Sequence, residues 1–328
     1  MCIKLFVKPL QIFKYILEAE ALERRISSKH PKKEQVTSFA KRHRAGYNGE
    51  KALEFPLSFL PYDDFFIFFH LRIPDHDSEN CFQIDILLLN IYFILIIETK
   101  NIDGTVLFDD MGQSIRQKNN KEDIFTNPID QVNLQHLRLL RWIREFNLPP
   151  IPIEKLVVYS NQNTLLKNLS LDKNLINIVV RKENLLSKID QFTLKYQTKC
   201  FSENDLLSLS NELLVADSPE DECIMKKFDI LKRDIIKGVF CPECRSVPMK
   251  RIHGKWNCMY CGAVSKTAHK EALKDYLLLF GEYITNRQAR DFLKLESIDT
   301  TKRILHNENL EQIGVKSGRK YKLKYDFS

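Results

Sequence analysis

Residues 83–100 read QIDILLLNIYFILIIETK. Two runs of β-branched, leucine and aromatic residues follow each other, FQIDILLLN (82–90) and YFILIIETK (92–100), the first ending on Asn90, a turn-forming residue. That pattern predicts two buried strands, and an antiparallel hairpin turning between Ile91 and Tyr92 sets Asp85 opposite Glu98. Glu98 and Lys100 lie two residues apart, and strand side chains alternate, so both project from one face.

Working outward, FFIFFHLRI (65–73), KLVVYS (155–160) and NIVV (177–180) read as further strands. A helix is expected to begin near Asn48 and run through Glu50 and Leu53. Another, from about 128 to 146, places Val132, Leu134, Leu137, Leu139, Leu140 and Trp142 on a broad apolar face. The stretch from 118 to 123 reads as a polar loop. Strands mixed with helices imply an α/β fold, one sheet with helices packed on it.

The 328-residue length suits two or three domains, and 44% hydrophobic content lets each bury a core. The amino terminus, MCIKLFVKPLQIFKYIL, is apolar but carries Lys4, Lys8 and Lys14 and has no small-residue cleavage site. It reads as a helix rather than a signal peptide. The apolar run from 84 to 97 is too short for a membrane span and is broken by Asp85 and Asn90. A net charge of +7 suits an anionic partner.

Asp85 and Glu98 repel each other at the end of an apolar sheet unless a cation lies between them. Mg²⁺, or Mn²⁺, is the expected ion, being hard, oxygen-seeking and slow to give up its waters. Such an ion stabilises charge on a phosphate and acidifies an attacking water. Lys100 would orient that water or neutralise the developing charge. The plain alternative makes Asp85 a strand-edge residue and Glu98–Lys100 a surface ion pair.

GYNGE (46–50), QID (83–85), IIETKNIDG (96–104) and NPIDQ (127–131) occur in that order. Together they resemble the NERD, or nuclease-related, domain family, a branch of the restriction-endonuclease-like PD-(D/E)xK superfamily. The resemblance covers roughly residues 44 to 160. It implies a restriction-endonuclease-like mixed sheet flanked by helices, with Asp85, Glu98 and Lys100 at the active centre. Glu50 would approach the metal from the first helix and Gln131 would point in from the later one. Read without the resemblance, Glu50 is a first-turn carboxylate favoured by the helix dipole, and Gln131 an exposed first-turn side chain.

CPEC (241–244) and CMYC (258–261) form two C-x-x-C pairs, whereas Cys2, Cys81, Cys200 and Cys223 are scattered. Four thiolates at this spacing suit one structural Zn²⁺ held by Cys241, Cys244, Cys258 and Cys261, in a reducing cytoplasm. His253 is expected to be a spectator. A redox pair or an iron–sulfur site is the competing reading.

Beyond the ribbon, AHKEALKDYLLLFGEYI, NRQARDFLKL and TTKRILHNENL read as three helices, and IGVKSGRKYKLKY as a hairpin turning at Ser317-Gly318. That pattern resembles a winged helix-turn-helix module. Between Thr301 and Lys324 seven cations stand against two anions. Thr300, Thr301, Lys302 and Arg303 would begin the recognition helix, and Lys316, Arg319, Lys320 and Lys322 would lie on the wing against phosphates. The bland alternative is a solvated cationic cap.

The expected organisation is an N-terminal helical and basic extension (1–43), a NERD-like domain (44–215), a linker helix (216–238), a zinc ribbon (239–266) and a winged-helix-like module (267–328). The expected activity is a cytoplasmic, metal-dependent endodeoxyribonuclease acting on DNA, with RNA left open, no membrane association, and a protein partner possible at the ribbon. Two other classes compete. One is a catalytically silent DNA-binding or regulatory protein, and the other a protein-interaction adaptor built from the same modules.

Overall fold

The computed structural model describes residues 5–61, 64–75, 80–170, 172–220, 222–315 and 318–325. The chain forms two compact units, Met1–Gln11 with Arg44–Glu220 and Ile12–His43 with Asp221–Ser328. The apolar amino terminus, expected as one helix, is a strand, β1 (Phe6–Lys8), followed by α1 (Lys14–Arg25). Pro9 lacks an amide hydrogen and resists helix at the residue before it, so the helix starts only beyond it. Residues 1–43 are therefore shared between the units. Helix α2 (Lys33–Leu57) begins well upstream of Asn48, and Glu50 lies far past its first turn.

In the first unit the main sheet runs β1, β2 (Phe66–Pro74), β3 (Cys81–Leu89), β4 (Ile94–Lys100), β8 (Ile153–Tyr159) and β10 (Val179–Arg181). Strands β2, β3 and β4 pair antiparallel, while β1–β2, β4–β8 and β8–β10 pair parallel. A second sheet, in the order β7-β6-β5-β9, comprises β5 (Gly104–Phe108), β6 (Ser114–Lys118), β7 (Lys121–Phe125) and β9 (Thr164–Asn168). The expected polar loop at 118–123 is the hairpin between β6 and β7. Asn119 and Asn120 both take positive φ, 52° and 58°. Asparagine tolerates that conformation, and the two-residue hairpin turn requires it.

Helices cover both faces of the main sheet. Phe68, Leu87, Ile96 and Val157 pack in one cluster with Val132 and Leu139 of α3 (Pro128–Ile143), and with Leu209 and Leu213 beyond α4 (Leu175–Ile178) and α5 (Leu185–Lys195), on α6 (Glu203–Ala216). Phe69, Leu88, Leu95 and Val158 pack in the other with Leu53 and Leu57 of α2 and Leu185 and Ile189 of α5. Leu134 and Leu137, expected on the apolar face of α3, are exposed. The buried stripe runs through Val132, Leu139, Trp142 and Ile143, and at 100° per residue Leu134 and Leu137 fall outside it.

The side-chain alternation of β2 and β3 breaks at one place. Phe66 and Phe68 belong to the first cluster and Ile67 and Phe69 to the second, but Leu71 and Ile73 return to the first. On β3, Phe82 and Ile84 belong to the first cluster, Ile86 and Leu88 to the second. The change of face falls at His70 and Asp85, between the pairs Leu71↔Ile84 and Phe69↔Ile86. His70 has φ 52°, an irregularity in an otherwise extended strand. Its carbonyl accepts a 2.6 Å hydrogen bond from Lys8 Nζ, and Lys8 also pairs with Asp217 at 2.5 Å.

The second unit holds α1, the start of α2 and α7 (Ile224–Lys227). The helix expected to reach Lys237 is only α7 and a 3-10 turn at Lys232–Asp234, because Asp229 enters the left-handed region at φ 52° and ends it. Next come the ribbon strands β11 (Lys250–Ile252), β12 (Lys255–Asn257) and β13 (Val264–Ser265). The remaining elements are α8 (His269–Phe280), β14 (Tyr283–Thr285), α9 (Asn286–Leu293), α10 (Ile298–Asn307), β15 (Glu311–Ile313) and β16 (Lys320–Lys322). Strand β16 lies between β14 and β15. Thr285 caps α9 in a reciprocal box with Gln288, and Ser297 caps α10. Arg25, 1% exposed, donates to Asp275 Oδ2 at 2.7 Å and to the carbonyls of Ile236 and Gly238.

Gly49 sets how closely α2 approaches the end of β4. A Cβ there would stand 2.8 Å from Asn101 Cβ and 3.1 Å from Ser160 Oγ. Asn101 is itself held, donating to Ala45 O at 2.7 Å and accepting from Asn161 at 2.9 Å. Gly49→Ala should therefore lower stability by about 1–3 kcal/mol by overpacking. Chemical denaturation checks this, with a loss expected despite alanine's better helix propensity.

Candidate functional site

The register of β3 and β4 runs Leu88↔Leu95, Leu87↔Ile96, Ile86↔Ile97. One step further sets Asp85 against Glu98, as the hairpin reading anticipates, and Asp85 Oδ2 accepts from Thr99 N at 2.9 Å. Glu98 and Lys100 share a face, and Lys100 Nζ lies 2.6 Å from Glu98 Oε1. Asn127 accepts from Ile129 N and Pro128 follows it, which starts α3 and places Gln131 in its first turn. Lys100 Nζ donates to Gln131 Oε1 at 2.7 Å, so Gln131 is not a free surface side chain. Gln135, one turn later, donates to Glu98 Oε2 at 2.7 Å.

Glu50 enters from α2, 6% exposed, with its Oε2 2.6 Å from His70 Nε2. Burial, then the Glu98 charge, push the Glu50 carboxyl well above the usual range. Asp85 is raised well above it too, by desolvation first and then by Glu98 and Glu50. Burial pushes His70 down to about 4, so at neutral pH its imidazole is uncharged and cannot neutralise Glu50. The carboxylates thus share a desolvated site in which Lys100 is the cation in direct contact, through Glu98. A cleft of about 180 Å³ opens beside Lys100 and Gln131, lined also by Ser114, Phe125 and Tyr159.

The structure brings together all five sequence-identified residues. Two more belong with them. Gln135 had a signal, because it lies four residues after Gln131 on the same helix face. His70 had none beyond being a lone polar residue in an apolar strand, since its backbone irregularity is invisible in sequence.

Residues 45–160 match the nuclease-related domain family, NERD. That stretch contains Glu50, His70, Asp85, Glu98, Lys100, Gln131 and Gln135, so every residue of the cluster lies within the NERD match. Residues 45–160 are therefore similar to a nuclease-related domain, and they contribute to a mixed α/β sheet. Comparison with curated proteins finds no match for the chain, and comparison with solved structures finds none either. Among the described residues, no helix is long and apolar enough to cross a membrane.

The donor set of the NERD cluster fits a hard divalent ion. Glu50, Asp85 and Glu98 offer carboxylate oxygens alone, the Glu98 charge raises the proton affinity of Glu50 and Asp85, and Glu50 Oε2 is buried without an aligned hydrogen bond. Bound cations invert this logic by favouring the ionised forms.

The four ribbon cysteines converge, with all Sγ atoms within 4.8 Å of one another. Cys241–Cys261 and Cys244–Cys258 Sγ separations are 3.7 and 3.5 Å. Tetrahedral zinc with bonds of ~2.3 Å needs about 3.8 Å between sulfurs, so the cluster is compatible with structural Zn²⁺. The Ser246 hydroxyl, 3.0 Å from Cys258 Sγ, helps hold that thiol down to about 6. His253 is not among the grouped ligands.

In the tail, Lys302 and Arg303 are exposed on α10, whereas Thr301 is fully buried and donates to Ser297 O. Thr301 therefore cannot read a base edge; its hydroxyl completes the helix start. Lys320 is exposed, Arg319 partly buried, and Lys322 stands 3.9 Å from Glu282. Lys316 and the Ser317 turn position lie outside the described residues.

A raised carboxyl pKa stabilises the fold below the ordinary carboxylate range, and that contribution is lost as pH rises towards the raised value. Metal-free protein should accordingly lose stability as pH rises above the ordinary carboxylate range, and Asp85→Asn should flatten the loss, with a melting temperature at the alkaline end roughly 2–4 °C above wild type. Added Mg²⁺ should raise the wild-type melt and leave Asp85→Asn unmoved, as read by thermal scans across pH. Elemental analysis should find about one zinc per chain, and Cys258→Ser should lower it and open the second unit to protease.

Proposed function

We propose that the NERD domain is a Mg²⁺-dependent nuclease that hydrolyses phosphodiester bonds in DNA, with Mn²⁺ able to replace Mg²⁺. The observation that carries this reading is the placement of Lys100, gripped by Glu98 on one side and Gln131 on the other, beside Asp85. An isolated surface ion pair would not require a hydrogen-bonded glutamine on each partner. Asp85 and Glu98 would hold the ion, with Glu50 at its edge. When bound, the ion supplies charge neutralisation at the scissile phosphate and makes a coordinated water more acidic.

The chain's own groups do the rest. Gln131 and Glu98 fix the Lys100 ammonium, whose remaining proton can hydrogen-bond a non-bridging phosphate oxygen or the attacking water. Gln135 holds the second oxygen of Glu98 and so fixes that carboxylate's rotation. His70 packs against Glu50 and limits where its carboxyl can turn. Water gives up a proton to solvent and bonds to phosphorus as the bond to the leaving oxygen breaks, and the leaving oxygen takes up a proton from solvent.

The second unit would hold the enzyme on nucleic acid. The element order α8, β14, α9, α10, β15, β16, with β16 central in its sheet, supports a winged-helix reading in which α10 presents Lys302 and Arg303. Arg319, Lys320 and Lys322 fall on the hairpin, where a wing would meet phosphates. Four cysteines converging as metal ligands rather than disulfide partners fit a reducing, cytoplasmic setting.

Purified protein should nick or degrade duplex DNA only with Mg²⁺ or Mn²⁺. Asp85→Ala, Glu98→Ala and Lys100→Ala should each cost about 10²–10³-fold in rate while retaining zinc. Cleavage without a divalent cation, or full activity in the three variants, would overturn the assignment.

A further inference from the structure

The second unit contains a cationic cleft that joins Arg303 of α10 to ribbon residues given no role so far. It encloses about 590 Å³ and is lined by Arg251 and His253 of the ribbon and by Thr300, Arg303 and Asn307 of α10. Among the described residues, no carboxylate lines it. We propose that this cleft binds the phosphodiester backbone of duplex DNA, so that the ribbon tip and α10 grip one strand together.

Arg251 is the strongest part of the argument. Its guanidinium lies 5.1 Å from the centroid of the Trp256 ring, and Trp256 is completely buried. Its Nε and Nη1 are shielded from solvent and have no hydrogen-bond partner among the described residues. Leaving charged donors buried and unsatisfied is costly, and the stack on Trp256 holds the guanidinium in the cleft wall, where its positive charge favours a phosphate. Across the cleft, Arg303 is exposed and forms no ion pair among the described residues, its one contact being a 3.5 Å approach to Thr300 Oγ1.

The two walls are fixed relative to each other. Trp256 Nε1 donates to His269 Nδ1 at 3.0 Å, which leaves His269 Nε2 as the protonated nitrogen. Nε2 then donates to Glu308 Oε1 at 3.1 Å, and Glu308 caps the end of α10. A single buried relay therefore ties the ribbon strand that supports Arg251 to the helix that carries Arg303. His253 reaches the cleft because His253 and Gly254 form the two-residue turn between β11 and β12, at φ 45° and 78°. Side-chain amide, hydroxyl, imidazole and two guanidinium groups around one cavity match a chain of phosphate oxygens better than an apolar ligand.

This inference rests on the nucleic-acid reading of the second unit but not on cleavage by the NERD domain, and the test separates them. Full-length protein carrying Asp85→Asn, which cannot cut under that reading, is titrated against a short fluorescent DNA duplex at several salt concentrations. Arg251→Gln and Arg303→Gln should each weaken binding about tenfold at low salt and reduce the salt slope by about one. Arg303→Lys should restore part of the affinity. Asn307→Asp, which places an anion in the cleft without touching the Trp256 stack, should weaken binding even if Arg251→Gln proves unstable. Zinc content and melting temperature report whether each variant folds. Wild-type affinity and slope in folded Arg303→Gln and Asn307→Asp would overturn the proposal. So would variants that lose binding to poly-glutamate but keep it to DNA, since the cleft would then serve an acidic protein. If unsubstituted protein fails to cut with Mg²⁺ yet these variants lose DNA affinity, the cleft stands and the nuclease reading falls.

Discussion

Side-chain alternation along a β-strand admits no gradual change of face, so a strand pair that switches which of its residues face which layer has to break its regularity at a definite step. Here the break occurs at His70, whose φ of 52° carries it into the left-handed region, and at the Asp85 step opposite. Such a conformation costs of order 1–3 kcal/mol, and it persists only where surrounding contacts overdetermine it. The surroundings are present: Lys8 takes the displaced carbonyl, Asp217 holds Lys8, and apolar clusters flank the break on both sides. The reward is a place within an apolar sheet where polar groups from both helical layers can meet. Glu50 arrives from α2 and Gln131 and Gln135 from α3.

The meeting creates an electrostatic problem that the protein by itself solves only in part. Asp85 and Glu50 are driven toward their protonated forms by burial and by the neighbouring charge of Glu98. Lys100 offsets Glu98, and His70, held neutral by burial, adds no positive charge. A site left short of positive charge in this way is poised for a hard cation and for the proton changes that accompany its binding. The raised proton affinities and the oxygen-only donor set are two expressions of that one imbalance.

The second unit solves a different problem. Its modules are too small to close cores of their own, so polar anchors and metal-ligand geometry supplement a shared apolar cluster. Arg25 ties α1 to α8 through Asp275, and Trp256 ties the ribbon to α8 through His269. Four converging cysteines close the ribbon. Because these links are directional, they set the ribbon and the terminal helices in a defined relation, and the cationic cleft between Arg251 and Arg303 exists only as a result.

Much of the first unit could be read directly from sequence. Hydrophobic runs marked five strands of the main sheet, the turn position between Ile91 and Tyr92 brought Asp85 opposite Glu98, and short-range spacing placed Glu98 with Lys100. The cysteine pairs likewise announced their own convergence. These features are local, set by a period of two or by a few residues of chain. Other features escaped the sequence for a common reason. The second sheet of β5, β6, β7 and β9 is short, polar and half exposed, so it carries little periodic signal. The early start of α2 is hidden because its buried residues go to two separate cores, Val36, Phe39 and Ala40 to one and Leu53 and Leu57 to another, with polar residues between. His70 lies in an apolar run that gives no warning of its backbone turn, and Arg251 looks like any surface arginine until Trp256 is placed beneath it. The sequence by itself determined which residues pair along neighbouring strands and which cysteines can share a metal. Only the tertiary structure decided which distant groups are desolvated together, because burial depends on what the whole chain packs against each atom.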